Sequence, residues 1–500
     1  MKIKNYKTSI LFTFVLLVTF SSSAQERTKY QKLDESYSIH NTIDVHQNKK
    51  EELNQNYNFS TKHDHIKQDI DSNLSQQLQN ILDEAITNYN IKGLSAAIQT
   101  ATNETWVGTA GVSHDTISVK NDMLFGIGSI TKNFIATIIL QLYEEESLNL
   151  NDSLHTWLPF FQNIDSTTTI KQLLNHTSGI YNYLMYPGID DTIFTYESKI
   201  WTPEEILEKF VLEAYFAPGT NWEYSNTNYI LLGLIIEAVT ANSLLDELHN
   251  RLTIPLGLNS TFLYPDEEFV GIRSHCWIPW NNNLIDVTEF ENSSWYSVYW
   301  AAGAIMSTSE QLVNWQKGLY EGNILNEATL EIMKQPAPYS GGLYGLGTQI
   351  GSLNGEWIYG HLGDVVYFSQ LLYVPSDSLS IAVISNTRFA PINTIWLDLY
   401  TTYINITEVE AKIIDELMFK VSPNPFSTST IIEFSQIKTG FVFLSVYDMS
   451  GKLHEIIISE KLISGNYQFE WSAIGLPNGI YFLKLETNGV TETRKLLIHK

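Results

Sequence analysis

Five hundred residues with an apolar share of 44% supply core for two or three domains, and a net charge of −25 argues against a chain built to grip phosphate backbones. The single cysteine, Cys276, excludes an intrachain disulfide and stands in no catalytic motif, so it reads as a structural thiol. Eight basic and seven acidic residues fall within 420–500, so the negative charge belongs almost wholly to the chain before that point.

In chain order, Lys2, Lys4 and Lys7 precede an apolar run over 10–20 and then Ser22-Ser23-Ala24, the pattern of a secretory signal peptide over 1–24. That run is too short to span a bilayer comfortably and no later segment is longer, so the expectation is an exported protein without a stable membrane span. Residues 25–72 are polar and lack apolar periodicity, which predicts a flexible leader. Order is expected to begin near Leu74, and Leu78, Ile81, Leu82, Ala85 and Ile86 then recur at helical spacing. Strand-like runs follow over 93–99 and 105–112, and a helix from Ser129 onward is apolar nearly all round, as befits the middle of a domain. Further on, 366–374 and 378–385 predict an antiparallel hairpin joined by Pro375-Ser376-Asp377.

The expected architecture of 73–405 is therefore α+β, with an antiparallel sheet assembled from distant parts of the chain around a helical middle. A linker is expected over 406–419. Beyond it, short alternating runs at 430–434, 440–447, 452–458, 466–471, 479–486 and near 493–498 predict a small all-β sandwich over 420–500.

The chemistry centres on Ser129-Ile130-Thr131-Lys132. Residues three apart share a helix face, so this spacing sets an amine beside a hydroxyl that needs a base before it can attack a carbonyl. Gly126 and Gly128 suit a tight entry into the helix, whose N-terminal N–H groups point at incoming negative charge. The competing reading of Ser129 is a plain helix cap. Downstream stand Leu173-Leu174-Asn175-His176-Thr177-Ser178-Gly179, Pro218-Gly219, Tyr224-Ser225-Asn226, Ala302-Gly303-Ala304 and Gly360-His361-Leu362-Gly363, the last read as opening the hairpin strand.

Taken together and in this order, these motifs resemble the serine beta-lactamase-like family of class C beta-lactamases, D-alanyl-D-alanine carboxypeptidases, D-aminopeptidases and esterases. The resemblance implies Ser129 as nucleophile, Lys132 as its proton acceptor and Tyr224 as a second acid/base group. It also implies that Asn226 holds the substrate amide or the lysine, and that His361, Gly363 and Asp364 line the substrate strand. The backbone N–H groups of Ser129 and Asp364 would form an oxyanion hole, and His176 would be structural. No metal and no cofactor are called for; the partner is a peptide or small-molecule substrate. Tyr224 could alternatively be a core aromatic with a satisfied hydroxyl.

Two departures from the family pattern bear on substrate. Leu362 stands where a hydroxyl would bond a terminal carboxylate, and Tyr367 replaces a glycine, with a side chain expected to close off part of the cleft. Tyr181, Tyr183, Tyr186, Trp295, Tyr296, Tyr299 and Trp300 either line an apolar pocket or pack beneath long loops. In the last region, Pro423-Asn424-Pro425-Phe426, Val446-Tyr447-Asp448 and Asn478-Gly479-Ile480-Tyr481 resemble the type A sorting domain of type IX secretion. That resemblance implies the secretion machinery as a partner and a secreted or cell-surface destination.

Overall fold

The computed structural model describes residue 70 and residues 72–500, apart from 197, 281–282, 291, 323, 354, 417–418, 437–439, 464 and 488–489. The expected signal peptide and nearly all of the polar leader lie outside the described residues. The chain divides into two compact units, one through Tyr400 and one from Thr401.

In the first unit, helix α1 (Ser72–Asn88) buries Leu74, Leu78, Leu82 and Ala85, the stripe that the spacing predicts. Seven strands form the main sheet: β1 (Gly93–Gln99), β2 (Thr105–His114), β3 (Ile117–Ser118), β4 (Gln349–Leu353), β5 (Glu356–Asp364), β6 (Phe368–Val374) and β7 (Leu379–Ser385). Their order is β3-β2-β1-β7-β6-β5-β4, antiparallel throughout, with Leu94 opposite Ser385 where the two ends of the unit meet. β1, β6 and β7 are buried along their whole length, which explains their continuous apolar runs rather than alternation.

Three helices matter for the site. Helix α2 (Thr131–Glu144) is buried on nearly every side, as its composition predicts, and α3 (Thr227–Thr240) is equally enclosed. Helix α4 (Ser309–Glu321) buries Leu312, Val313, Trp315 and Leu319. The Ser129 segment enters α2 through a 3-10 turn over Gly128–Ile130, and a small sheet of Phe125–Gly126, Ile305–Ser307 and Phe262–Leu263 braces the approach.

Two boundaries differ from expectation. The His361-Leu362-Gly363 triplet ends β5 rather than opening the hairpin strand, and β6 starts at Phe368 because residues 364–368 make a tight turn. Val366 in that turn has a φ of +89°, a conformation costly for a β-branched residue. The stretch expected as a linker lies largely within helix α5 (Ile392–Glu416).

The second unit packs two antiparallel sheets. One orders β8 (Lys420–Ser422), β9 (Ser429–Gln436) and β12 (Gly465–Ser472); the other orders β11 (Leu453–Leu462), β10 (Gly440–Asp448), β13 (Gly479–Thr487) and β14 (Val490–Ile498). Ile432, Phe434, Val442, Leu444, Trp471, Leu483, Leu485 and Leu496 form its core. This is the small β-sandwich that the alternating runs predict, with one short strand, Lys420–Ser422, that they do not.

Candidate active site

Ser129 sits half-buried in the turn before α2, and Lys132 lies in the first turn of that helix, wholly buried. The lysine Nζ is 3.0 Å from Ser129 Oγ. Its other neighbours are two fixed acceptors, Asn226 Oδ1 at 2.8 Å and the Ala302 carbonyl at 2.5 Å. Burial holds the Lys132 pKa well below its ordinary value. A neutral amine keeps two N–H bonds, which these two acceptors take, and its remaining lone pair then faces the serine hydroxyl. The geometry thus suits proton acceptance from Ser129.

The polar contacts on Lys132 are themselves supported. Asn182 Oδ1 accepts from both the backbone N and the side-chain Nδ2 of Asn226, at 3.2 and 3.3 Å. Asn226 is therefore committed to the lysine and to Asn182. Ala302 follows Trp300, whose φ is +32° and whose indole N–H donates to Asp266 Oδ2 at 2.9 Å.

Tyr224 stands over the pair, its ring 5.1 Å from Lys132 Nζ. Its buried hydroxyl has no hydrogen bond of normal geometry. Burial pushes its pKa well up, an effect that the nearby Ser129 opposes. His176 lies beneath, 4.3 Å away ring to ring, and its Nδ1 accepts from the Ser225 N–H at 3.2 Å and from Asn228 Nδ2 at 3.1 Å. Burial first, then the charges of Lys132 and His361, hold the His176 pKa well below the ordinary range. A neutral His176 thus pins the Tyr224-Ser225-Asn226 loop to the His-Thr-Ser-Gly turn.

Strand β5 closes the other side. A Cβ on Gly363 would fall 2.0 Å from the Ile127 carbonyl, and one on Gly128 would fall 2.6 Å from the Asp364 nitrogen. Only glycines permit this approach of strand to turn. The Leu362 N–H points away from β6, to Gln349 Oε1 at 2.9 Å. Two residues on, the Asp364 N–H shares that direction, beyond the end of the β4 pairing at Gly360 and beside the serine turn.

His361, expected to bind substrate, is turned inward instead. Its Nδ1 donates to the Leu362 carbonyl at 2.6 Å, and its Nε2 accepts from the Tyr344 hydroxyl at 3.0 Å, which fixes one neutral tautomer. Burial and then the charge of Lys132 depress its pKa to about 3, although the Leu362 carbonyl opposes them. Tyr367 does not close the cleft. It is fully buried, its hydroxyl donates to the Ser274 carbonyl, and its ring packs edge-on to Phe125. Tyr183, Trp295, Tyr296 and Trp300 are likewise buried in the core; Tyr181, Tyr186 and Tyr299 are only half-buried.

Sequence reasoning missed Asn182, Ala302 as a lysine partner, Tyr344 and Arg388, which grips the Asp364 carboxylate. Ala302 lay in a motif already singled out; the others carry no local signal. Among the described residues, no group of three or more histidine, cysteine or acidic side chains is disposed to hold a metal ion.

The family model for Beta-lactamase matches residues 78–395. The chain belongs to that family. A second family model, the secretion system C-terminal sorting domain, matches residues 420–499. Penicillin-binding protein 4* of Bacillus subtilis (strain 168) is 29% identical over 238 residues, which is 45% of this chain and 51% of that protein. The chain spans about half the length of the curated relatives it matches. Among solved structures, a D-stereospecific amidohydrolase from Streptomyces sp. is 29% identical with a TM-score of 0.58, over 65% of this chain and 97% of that one. The D-amino acid amidase from Ochrobactrum anthropi SV3, complexed with L-phenylalanine, is 26% identical with a TM-score of 0.60, over 67% of this chain and 99% of that one.

Proposed function

We propose that this protein is an exported hydrolase that forms an acyl-enzyme on Ser129 and acts on amides of D-amino acids or D-peptides, or on beta-lactam-like amides. The observation that carries the reading is the Lys132 amine, 3.0 Å from Ser129 Oγ with its other two contacts on fixed acceptors. Lys132 takes the serine proton as Oγ attacks the carbonyl, and the Ser129 and Asp364 N–H groups receive the oxyanion. The lysine is then an ammonium 5.1 Å from the Tyr224 ring, which lowers the cost of a phenolate there. Tyr224 gives its proton to the leaving group and recovers one from Lys132. Water then cleaves the ester by the same route in reverse. The D-configured substrate class is drawn from the amidohydrolase and amidase that the fold resembles.

A carboxylesterase is the second reading, favoured by one observation: Leu362 offers no hydroxyl to a substrate carboxylate. Incubation of the full chain with a fluorescent penicillin, a fluorophosphonate, D- and L-phenylalanine amide and a p-nitrophenyl ester separates the cases. Adducts on Ser129 with faster turnover of the D-amide are expected. Fluorophosphonate labelling with ester turnover alone would favour the esterase, and no Ser129 adduct with any reagent would indicate a silent binding protein.

Export rests on the sorting-domain match and on the basic, apolar and small-residue pattern over 1–24. We assign residues 73–405 to the hydrolase domain and 420–500 to the sorting domain, with type IX machinery as the transport partner. Recovery of the full chain only from the cytoplasm of its host would contradict this.

A further inference from the structure

Asp364 brings a carboxylate to the residue whose backbone N–H is placed to receive negative charge. Its side chain is 35% exposed, so water screens its charge only in part. A formal charge so close would repel a developing oxyanion and cancel part of what the N–H group offers.

Arg388 meets that charge. It stands three residues beyond β7, where its own backbone N–H donates to the Trp277 carbonyl at 2.9 Å. Its Nε lies 3.0 Å from Asp364 Oδ1 and one terminal nitrogen lies 3.0 Å from Oδ2, a two-pronged grip on both oxygens. The Val366 N–H adds a third donor to Oδ1 at 3.2 Å. The guanidinium also rests 4.8 Å over the Phe389 ring, so it is fixed from a second side. Burial opposes its charged form, but Asp364, and then Tyr299 and Asp190, outweigh that and hold its pKa above the ordinary value.

We propose that Arg388 is a positioning residue for the reaction, neutralising and orienting the Asp364 carboxylate so that the adjacent N–H can serve the oxyanion. This rests on the acyl-enzyme reading above. No contact between Arg388 and substrate is required; it acts through Asp364.

The test is the rate at which a fluorophosphonate labels Ser129 in the full chain, for wild type, R388Q, R388K, D364N and the double variant R388Q/D364N, with the melting temperature of each. R388Q is expected to label on the order of 10- to 100-fold more slowly, since it leaves the carboxylate unpaired beside the oxyanion. Adding D364N to R388Q should recover most of the loss, because the neutral amide needs no counter-charge, and R388K should fall between. A merely structural role for Arg388 predicts no such rescue. Should R388Q fail to fold, the double variant is read against D364N: with no carboxylate left to neutralise, the two should label at the same rate, and a folded double variant at least 10-fold slower than D364N overturns the proposal. An unchanged rate in R388Q, or a folded double variant as slow as R388Q, overturns the proposal. So does a slower reaction of R388Q with a fluorescent penicillin, which carries a carboxylate, alongside unchanged fluorophosphonate labelling, which would make Arg388 a substrate ligand. Absence of labelling in wild type would remove the acyl-enzyme reading and this proposal together, whereas labelling that is indifferent to Arg388 removes this proposal alone.

Discussion

In the unit through Tyr400, side chains that carry charge in water are fully buried: Lys132 and His176 at 0% exposure and His361 at 2%. Among the described residues of the unit from Thr401, the buried polar side chains are Thr430, Gln436, Ser445 and Thr487, and none of them ionises. Both units bury their apolar residues by the same logic of strand and helix pattern. They differ in what else is enclosed. Burial of an ionisable group costs several kcal/mol unless partners are provided or the charge is given up. The first unit also buries Glu247, Lys317 and Asp377, each beside a partner, but around Lys132 partners are provided and charge is given up together, which singles out that place.

The largest expected effect removes the enclosed amine. Lys132→Met should lower acylation of Ser129 by about 10³-fold or more, the scale of a lost general base. The melting temperature should stay within a few degrees, because an apolar side chain of similar volume replaces a group whose burial is costly. The same variant sharpens the comparison through pH. Because the folded-state pKa of Lys132 is depressed, unfolding releases an amine that binds a proton the native state declines. Wild-type stability therefore gains from this group as pH rises from the folded pKa toward the ordinary value of 10.5. Urea unfolding across that range should show a shallower rise in Lys132→Met. An identical slope, or retained acylation, would point to another base.

The next effect tests how tightly strand and turn are pressed together. A methyl at position 363 would meet the Ile127 carbonyl at 2.0 Å and Ser369 Oγ at 2.3 Å, and backbone cannot yield as a side chain can. Gly363→Ala should destabilise the first unit by about 3 kcal/mol and reduce acylation in whatever remains folded. Chemical denaturation with a separate probe in each unit would show whether the loss stays in the first.

A smaller effect follows from His361. Its folded pKa of about 3 lies below the ordinary 6.5, so the stability that its neutral form contributes is complete above 6.5 and is lost as pH falls toward 3. Denaturation midpoints should decline over that window, and His361→Gln should shallow the decline. Tyr344→Phe should also shallow it, to a lesser degree, since loss of the donor to Nε2 favours the protonated ring and raises the folded pKa toward the ordinary value. An unchanged profile in both variants would mean that His361 does not hold its proton as the network implies.

Much of this was legible in the sequence because it is local. The Ser129–Lys132 spacing needs only helical geometry, and the sandwich strands need only alternation. The parts that were not legible depend on partners far apart in the chain. Asn226 meets Lys132 across 94 positions and Ala302 meets it across 170, so spacing alone does not reach either contact, and the resemblance left Asn226 open between the substrate amide and the lysine. The family resemblance implies His361 as a substrate-binding residue, on a triplet read as opening the hairpin strand. Which way the imidazole turns is decided by Tyr344, 17 residues earlier on a different segment. Tyr367 was read as a cleft residue for its bulk, but a carbonyl acceptor at Ser274 and the ring of Phe125 draw it into the core.

The smallest expected effect lies in the second unit and completes the contrast. Gly451 ends the Asp448-Met449-Ser450-Gly451 turn with a φ of +80°, and a Cβ there would meet nothing within 4 Å. Only the backbone conformation resists a side chain, whereas at Gly363 a neighbouring carbonyl does. The turn is held by the Asp448 carboxylate, which accepts from the backbone N–H of Ser450 at 2.8 Å and of Lys452 at 3.0 Å. Gly451→Ala should therefore cost about 1 kcal/mol, the ordinary penalty of a left-handed position, and leave acylation on Ser129 untouched. A cost as large as that of Gly363→Ala would mean that the sandwich turn is packed as closely as the catalytic strand. The distinction between a glycine kept for its backbone freedom and one kept for close approach would then fail.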